Sequence, residues 1–170
     1  MKAVLATLLL LLPSLAASEA HLEGSLLEPF TLRDQHGLLH EVDESVHAIL
    51  FSREMEGGKI IKQTLSEDGA ALLERARAVY VSDISGMPAL IRKIFALPRM
   101  RRRPYPMLLD TDGSVTERFP ASKGHATLLV LDKLHIEKIA HLDSPAALTA
   151  ELEKLAAETP ESEPDPEPSD

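Results

Sequence analysis

At 170 residues, with 44% apolar side chains and a mean hydropathy of −0.05, the chain has the length and composition of one globular domain with a sizeable core. A formal charge of −9 and a pI of about 5.2 argue against nonspecific nucleic-acid binding and describe a self-repelling surface. With no cysteine, the chain excludes thiol and disulfide chemistry, a disulfide framework and lipid attachment through a cysteine.

The N-terminus has the pattern of a secretory signal. Lys2 supplies a minimal positive region, residues 3–12 are an apolar run, and Pro13 is followed by small residues. Ser18 and Ala20 give the small-x-small pattern for cleavage after Ala20, and Ser14 and Ala16 satisfy it too. The run falls short of the roughly 20 apolar residues that span a bilayer. The expectation is a signal peptide over residues 1–20, no stable membrane span after its removal, and a soluble periplasmic protein if the source is a Gram-negative bacterium, otherwise a secreted one.

The folded part is expected over residues 21–157. A strand at Phe30-Thr31-Leu32, a turn over residues 34–37 and a return through residues 38–42 predict a small entry hairpin. Residues 47–51 form an apolar run of strand length, and after Glu56-Gly57-Gly58 the residues Ile60, Ile61 and Leu65 start a helical stripe. Residues 66–76 continue or restart it before the apolar strand Ala78-Val79-Tyr80-Val81, completing a strand-helix-strand unit. Met87, Leu90, Ile91, Ile94 and Phe95 fall at helical spacing, with Ser85 as the cap and Pro98 as the end.

Residues 105–109 then predict a short strand, 110–113 a turn and 115–119 one helical turn. Residues 127–131 and 136–140 flank Asp132-Lys133 as an antiparallel hairpin. Ser144-Pro145 opens a last helix carrying Leu148, Leu152, Leu155 and Ala156. Residues 158–170 hold six acidic residues and four prolines with no large apolar side chain, the composition of a disordered acidic tail. Without them the formal charge is only about −3.

This α/β order resembles the thioredoxin fold in its peroxiredoxin-like, or redoxin, variety, over roughly residues 28–157. The stretches that carry the resemblance are Phe30-Thr31-Leu32-Arg33-Asp34-Gln35-His36-Gly37, similar to the family's entry hairpin, and Met107-Leu108-Leu109-Asp110-Thr111-Asp112-Gly113-Ser114-Val115, similar to its Asp-Gly turn. The resemblance implies a central mixed sheet with an N-terminal β-hairpin, flanking helices and a C-terminal β-hairpin plus helix. It also implies a reactive cysteine in the turn after the first core strand, where a helix N-terminus stabilises the thiolate.

Here that turn reads Ser52-Arg53-Glu54-Met55-Glu56-Gly57-Gly58-Lys59. Met55 and Gly58 occupy the two cysteine positions of a thioredoxin Cys-x-x-Cys, and the peroxiredoxin Pro-x-x-x-Thr-x-x-Cys pattern is absent. The position of the family's cis-proline matches Ala126, for which a trans peptide is expected because a non-proline cis bond costs about 2.5 to 4 kcal/mol.

Two binding features remain. At the modified turn, Gly57 and Gly58 can bring backbone N–H groups close to a small anion or carboxylate, with Arg53, Met55, Glu56 and Lys59 around them; the glycines also fit a tight turn that does no more than fold. Arg92, Lys93, Arg99, Arg101, Arg102 and Arg103 form a dense basic cluster, bounded by Pro98 and Pro104, in an otherwise acidic protein. It suits an acidic partner, anionic headgroups or docking of the chain's own acidic tail, and equally an ordinary solvated surface.

His36 and His40, and His125, His135 and His141, lie near the two hairpins without the compact spacing of a zinc site. Asp110-Thr111-Asp112-Gly113 is followed at the twelfth position by Ala121 rather than by the glutamate of a calcium loop, so it reads as a turn. No G-x-S-x-G, G-x-G-x-x-G or P-loop pattern occurs, so no catalytic residue, metal or cofactor is assigned. The expectation is an exported non-redox binding or accessory protein whose partner is an envelope protein or a small anionic ligand, with no nucleic acid involved. The alternative is an enzyme using a non-thiol site at residues 52–59.

Overall fold

The computed structural model describes residues 19–66 and 68–158. The signal expected over residues 1–20 lies outside the described residues except for its last two, and so does the acidic tail beyond Glu158. The first strands, β1 (Phe30–Asp34) and β2 (Leu39–Val42), form the entry hairpin. They are followed by β3 (Ala48–Ser52), α1 (Met55–Thr64), α2 (Gly69–Arg75) and β4 (Ala78–Asp83). A continuous helical stretch then comprises α3 (Ala89–Ile91), a π-helical turn (Arg92–Ala96) and α4 (Leu97–Met100). The chain closes with β5 (Leu108–Asp110), β6 (Ala126–Asp132), β7 (His135–Leu142) and α5 (Pro145–Glu158).

One mixed sheet runs in the order β2-β1-β5-β4-β3-β6-β7, with β3, β4 and β5 parallel and the outer pairs antiparallel. Every residue of β3 is buried, which explains its unbroken apolar run, since a strand covered on both faces has no polar side to alternate with. Period-two alternation sends Ala48 and Leu50 into the core beneath α1, α2 and α5, where Ile61, Leu65, Leu148 and Leu152 join them. Ile49 and Phe51 point to the opposite core with Val81, Leu108, Phe119 and Leu129. There Phe119 meets the Phe51 ring edge to face at 5.3 Å.

Several boundaries differ from the sequence expectation for local reasons. Helix α1 begins at Met55, ahead of the apolar stripe, with Glu54 at the cap position making no side-chain cap bond. Ser85 does not cap the next helix; its hydroxyl and amide both bond to the Asp83 carboxylate, at 2.6 and 3.0 Å, and Pro88 takes the cap position. Pro98 does not end that helix: it sits in the first turn of α4, directly after the π-helical turn, where the hydrogen-bond ladder is already interrupted. Residues 115–119 form turns rather than a helical turn. The buried Asp110 carboxylate accepts from the amides of Gly113, Val115 and Thr116 and from the Thr116 hydroxyl. The β6–β7 connection is the two-residue turn Lys133-Leu134, both with positive φ (46° and 68°), the geometry that matches strand twist. No helix among the described residues is long and apolar enough to cross a membrane.

Candidate functional site

The parallel pair β3–β4 decides where a site can form. Their register places Leu50 beside Tyr80 and Ser52 beside Ser82, so the alternation that buries Leu50 under the helices carries three hydroxyls to the carboxyl ends of the strands on that same face. Ser52 Oγ lies 2.9 Å from Tyr80 Oη and 3.4 Å from Ser82 Oγ, and all three residues are buried. Burial pushes the Tyr80 phenol up, against the hydrogen bonds from Ser52 and Ser82 and the positive charge of Arg103, which pull it down.

Above this floor opens a cleft of 880 Å³, bounded by the start of α1 on one side and by residues 83–87 and the helical stretch through Met100 on the other. It lies outside the carboxyl ends of the parallel strands, the usual place for ligands in open α/β sheets. Its lining is mainly apolar. Every methionine after Met1 contributes to it (Met55, Met87, Met100 and Met107), as do both tyrosines, Tyr80 and Tyr105. Lys59 and Lys62, three residues apart on α1, and Arg99 and Arg103 on the opposite wall add positive charge, and none of these four makes an ion pair among the described residues.

The structure sorts the turn residues expected to bind. Arg53, Met55, Gly58 and Lys59 line the cleft. Arg53 is nonetheless engaged: its guanidinium lies 5.4 Å from the Phe51 ring centroid, bonds Asp83 at 3.1 Å and donates to the Thr116 carbonyl. It clasps the end of β3 to the end of β4. For Asp83, burial alone would raise the carboxyl pKa, but bonds from Ser85 and Arg53 outweigh it and hold the group below its ordinary value. Glu56 is exposed and lies off the cleft.

Gly57 is buried, does not line the cleft and packs against the backbone of His125 and Ala126. A Cβ there would stand 2.3 Å from the His125 carbonyl oxygen, so glycine is required for α1 to approach the start of β6. The Gly58 amide donates to the Glu54 carbonyl at 3.1 Å as part of the helix. The Gly58 amide is thus taken up within the helix, and the missing side chain of Gly57 serves its packing against the start of β6. No cis peptide occurs among the described residues, Ala126 included, as the sequence predicts.

The basic cluster divides as well. Arg99 and Arg103 face the cleft, whereas Arg101 donates to the Gln35 carbonyl at 3.0 Å and Arg102 is exposed without an ion pair among the described residues. Arg92 reaches the Thr111 carbonyl at 3.1 Å. Among the described residues no three His, Asp or Glu side chains converge as metal ligands. Sequence reasoning missed Lys62, Tyr80, Ser82, Met87, Met100 and Met107. The one signal in the sequence was that the methionines stand in four different segments around the modified turn.

No family model matches the chain and no curated protein matches it. Solved structures do. A peroxidoxin BcpB from Mycobacterium tuberculosis aligns at 23% identity with a TM-score of 0.53, covering 79% of this chain and 96% of that one. A thio-disulfide isomerase from Thermus thermophilus aligns at 18% identity and 0.51, covering 80% and 97%. Peroxiredoxin Q from Xanthomonas campestris aligns at 12% identity and 0.52, covering 75% and 90%. The fold is thioredoxin-like. The chain has that scaffold without a cysteine anywhere in its sequence.

Proposed function

We propose that this protein is an exported, non-redox binding protein that uses the cleft over Ser52, Tyr80 and Ser82 in place of the thiol site of its fold. One observation carries the reading: the concavity at the carboxyl ends of the parallel strands persists, large and mainly apolar, around a position with no cysteine. Export rests on Lys2 and the apolar run of residues 3–12 followed by small residues. The binding reading is preferred to an enzymatic one at the turn because the Ser52 hydroxyl faces a phenol whose pKa burial raises, and among the described residues no histidine or carboxylate bonds it. An accessory role through an envelope protein, or docking of residues 158–170, would draw on the exposed Arg102.

The test is a titration with the fluorescent apolar anion anilinonaphthalene sulfonate on the full chain lacking only its leader. A Cβ on Gly58 would lie 3.7 Å from both Ser52 Oγ and Tyr80 Oη, so Gly58→Leu places a side chain on the cleft floor and Gly58→Ala a smaller one. Saturable binding by the native chain, weakened about tenfold in Gly58→Leu and less in Gly58→Ala, supports the reading. Absence of saturable binding, or equal binding by both variants, overturns it.

A further inference from the structure

We propose that the cleft takes a single-chain amphiphile with an anionic head, a ligand of the fatty-acid class. The inference rests on the binding reading above and adds the chemistry of the ligand. Thioether side chains are flexible and polarisable, and a lining built from methionines adapts to a flexible chain rather than to one rigid shape. Met107 and Tyr105 are almost wholly buried at the inner end, while Met55 is 74% exposed at the mouth, so the apolar lining runs from floor to rim.

At the rim it continues onto the helical stretch Ala89–Met100. Ile91, which lines the cleft, is 45% exposed, and its neighbours Leu90, Ile94 and Phe95 are 67%, 52% and 53% exposed. No residue of that stretch is buried. Leu97 and Met100 pack partly against the core, whereas Leu90, Ile91, Ile94 and Phe95 are left exposed by the fold.

Charge fixes the head group. Lys59 and Lys62 on one wall and Arg99 and Arg103 on the other lie around the same space without ion-pair partners among the described residues. The cleft's acidic side chains are Glu54 and Asp83, and Asp83 is already paired with Arg53. Lys59, Lys62 and Arg99 are exposed and Arg103 is half-buried, and cationic side chains that converge on one cleft with no carboxylate of their own are a site for one from outside. Arg103 lines the cleft together with Tyr80 and Tyr105, and its charge opposes the rise that burial gives both phenols. The shape selects a free molecule over a bilayer, because a flat lipid surface cannot fill a concavity whose floor residues are 3% to 7% exposed.

The chain has two tyrosines, both on the cleft, and no tryptophan, so emission excited in the tyrosine band, where its phenylalanines do not absorb, reports on this site alone. The experiment follows that emission while sub-micellar laurate, dodecanol or phosphatidylglycerol vesicles are added. Laurate is expected to bind saturably and at least about tenfold more tightly than dodecanol, and Arg103→Gln combined with Lys62→Gln to remove that difference. Arg102→Gln, off the cleft, is expected to leave it intact. Equal affinity for laurate and dodecanol would overturn the anionic head while leaving the binding reading standing. A response to vesicles but not to monomeric laurate would overturn the single-chain ligand in favour of a membrane surface. No response to any of the three, with no binding of anilinonaphthalene sulfonate, would remove the binding reading itself.

Discussion

Two helical regions of similar apolar content are used in opposite ways. In α5, Leu148 and Leu152 are fully buried against the sheet and against α1. In the stretch Ala89–Met100, Leu90, Ile91, Ile94 and Phe95 remain substantially exposed, and a π-helical turn interrupts the α-helical ladder. Apolar spacing alone does not distinguish them. What does is the surroundings: α5 closes over a complete sheet face, whereas the other stretch stands across an open cleft and has nothing to pack its outer face against. π-helical turns frequently occur at functional sites, which agrees with assigning this stretch to binding rather than to the core.

That contrast breaks most visibly under truncation. Leu152→Ala should cost about 2–5 kcal/mol in urea unfolding, the range for emptying a fully buried leucine site. Gly57→Ala comes next, at about 1–3 kcal/mol, since its methyl group meets the His125 carbonyl and one of the two backbones must move. Gly58→Ala, one residue along the same helix, should instead be neutral or gain about 0.5–1 kcal/mol, because its methyl finds only ordinary contacts and the helix gains by losing a glycine. A drop at Gly58 as large as at Gly57 would contradict the packing described.

Acid sharpens the comparison between the hairpin and the cleft. For Asp34, burial would raise the carboxyl pKa, but the His40 side chain and the His36 and Leu38 amides outweigh it and lower the pKa, as Ser85 and Arg53 do for Asp83. A lowered folded-state pKa means that the stabilisation is present above the ordinary value of 3.8 and disappears as pH falls through the lower folded value. The unfolding free energy should therefore fall below about pH 4, and Asp83→Asn should reduce that acid dependence while Asp34→Asn reduces it independently. The smallest effect is expected at Leu90→Ser and Ile94→Ser, within about 0.5 kcal/mol by thermal or urea unfolding, as befits surface positions.

Much of the fold was legible because its signals are local. The apolar runs of β3, β4 and β6 mark buried strands, Gly37 marks the first hairpin turn, and Asp132-Lys133 marks the second to within one residue of the observed Lys133-Leu134. The thioredoxin-like order follows from them. The cleft was less legible because it is assembled across elements. Tyr80 reads as one apolar residue of a strand, and only the parallel register beside β3 reveals that its hydroxyl meets Ser52. Met87, Met100 and Met107 look like ordinary helix or strand residues until tertiary packing brings them to one space. Arg53 and Gly57 invited a ligand role in the sequence, but their partners, Asp83 and the His125 carbonyl, lie 30 or more residues away.

Isoleucine-methyl NMR tests the central claim most directly, because isoleucines stand both on the cleft and in the core beneath the other sheet face. On adding laurate or anilinonaphthalene sulfonate, the methyl signals of Ile84 and Ile91, which line the cleft, should shift saturably, while those of Ile49 and Ile136 in the opposite core stay fixed. Shifts at Ile49 and Ile136 of equal size, or none at Ile84 and Ile91 while the probes bind, would contradict the assignment of this cleft as the binding site.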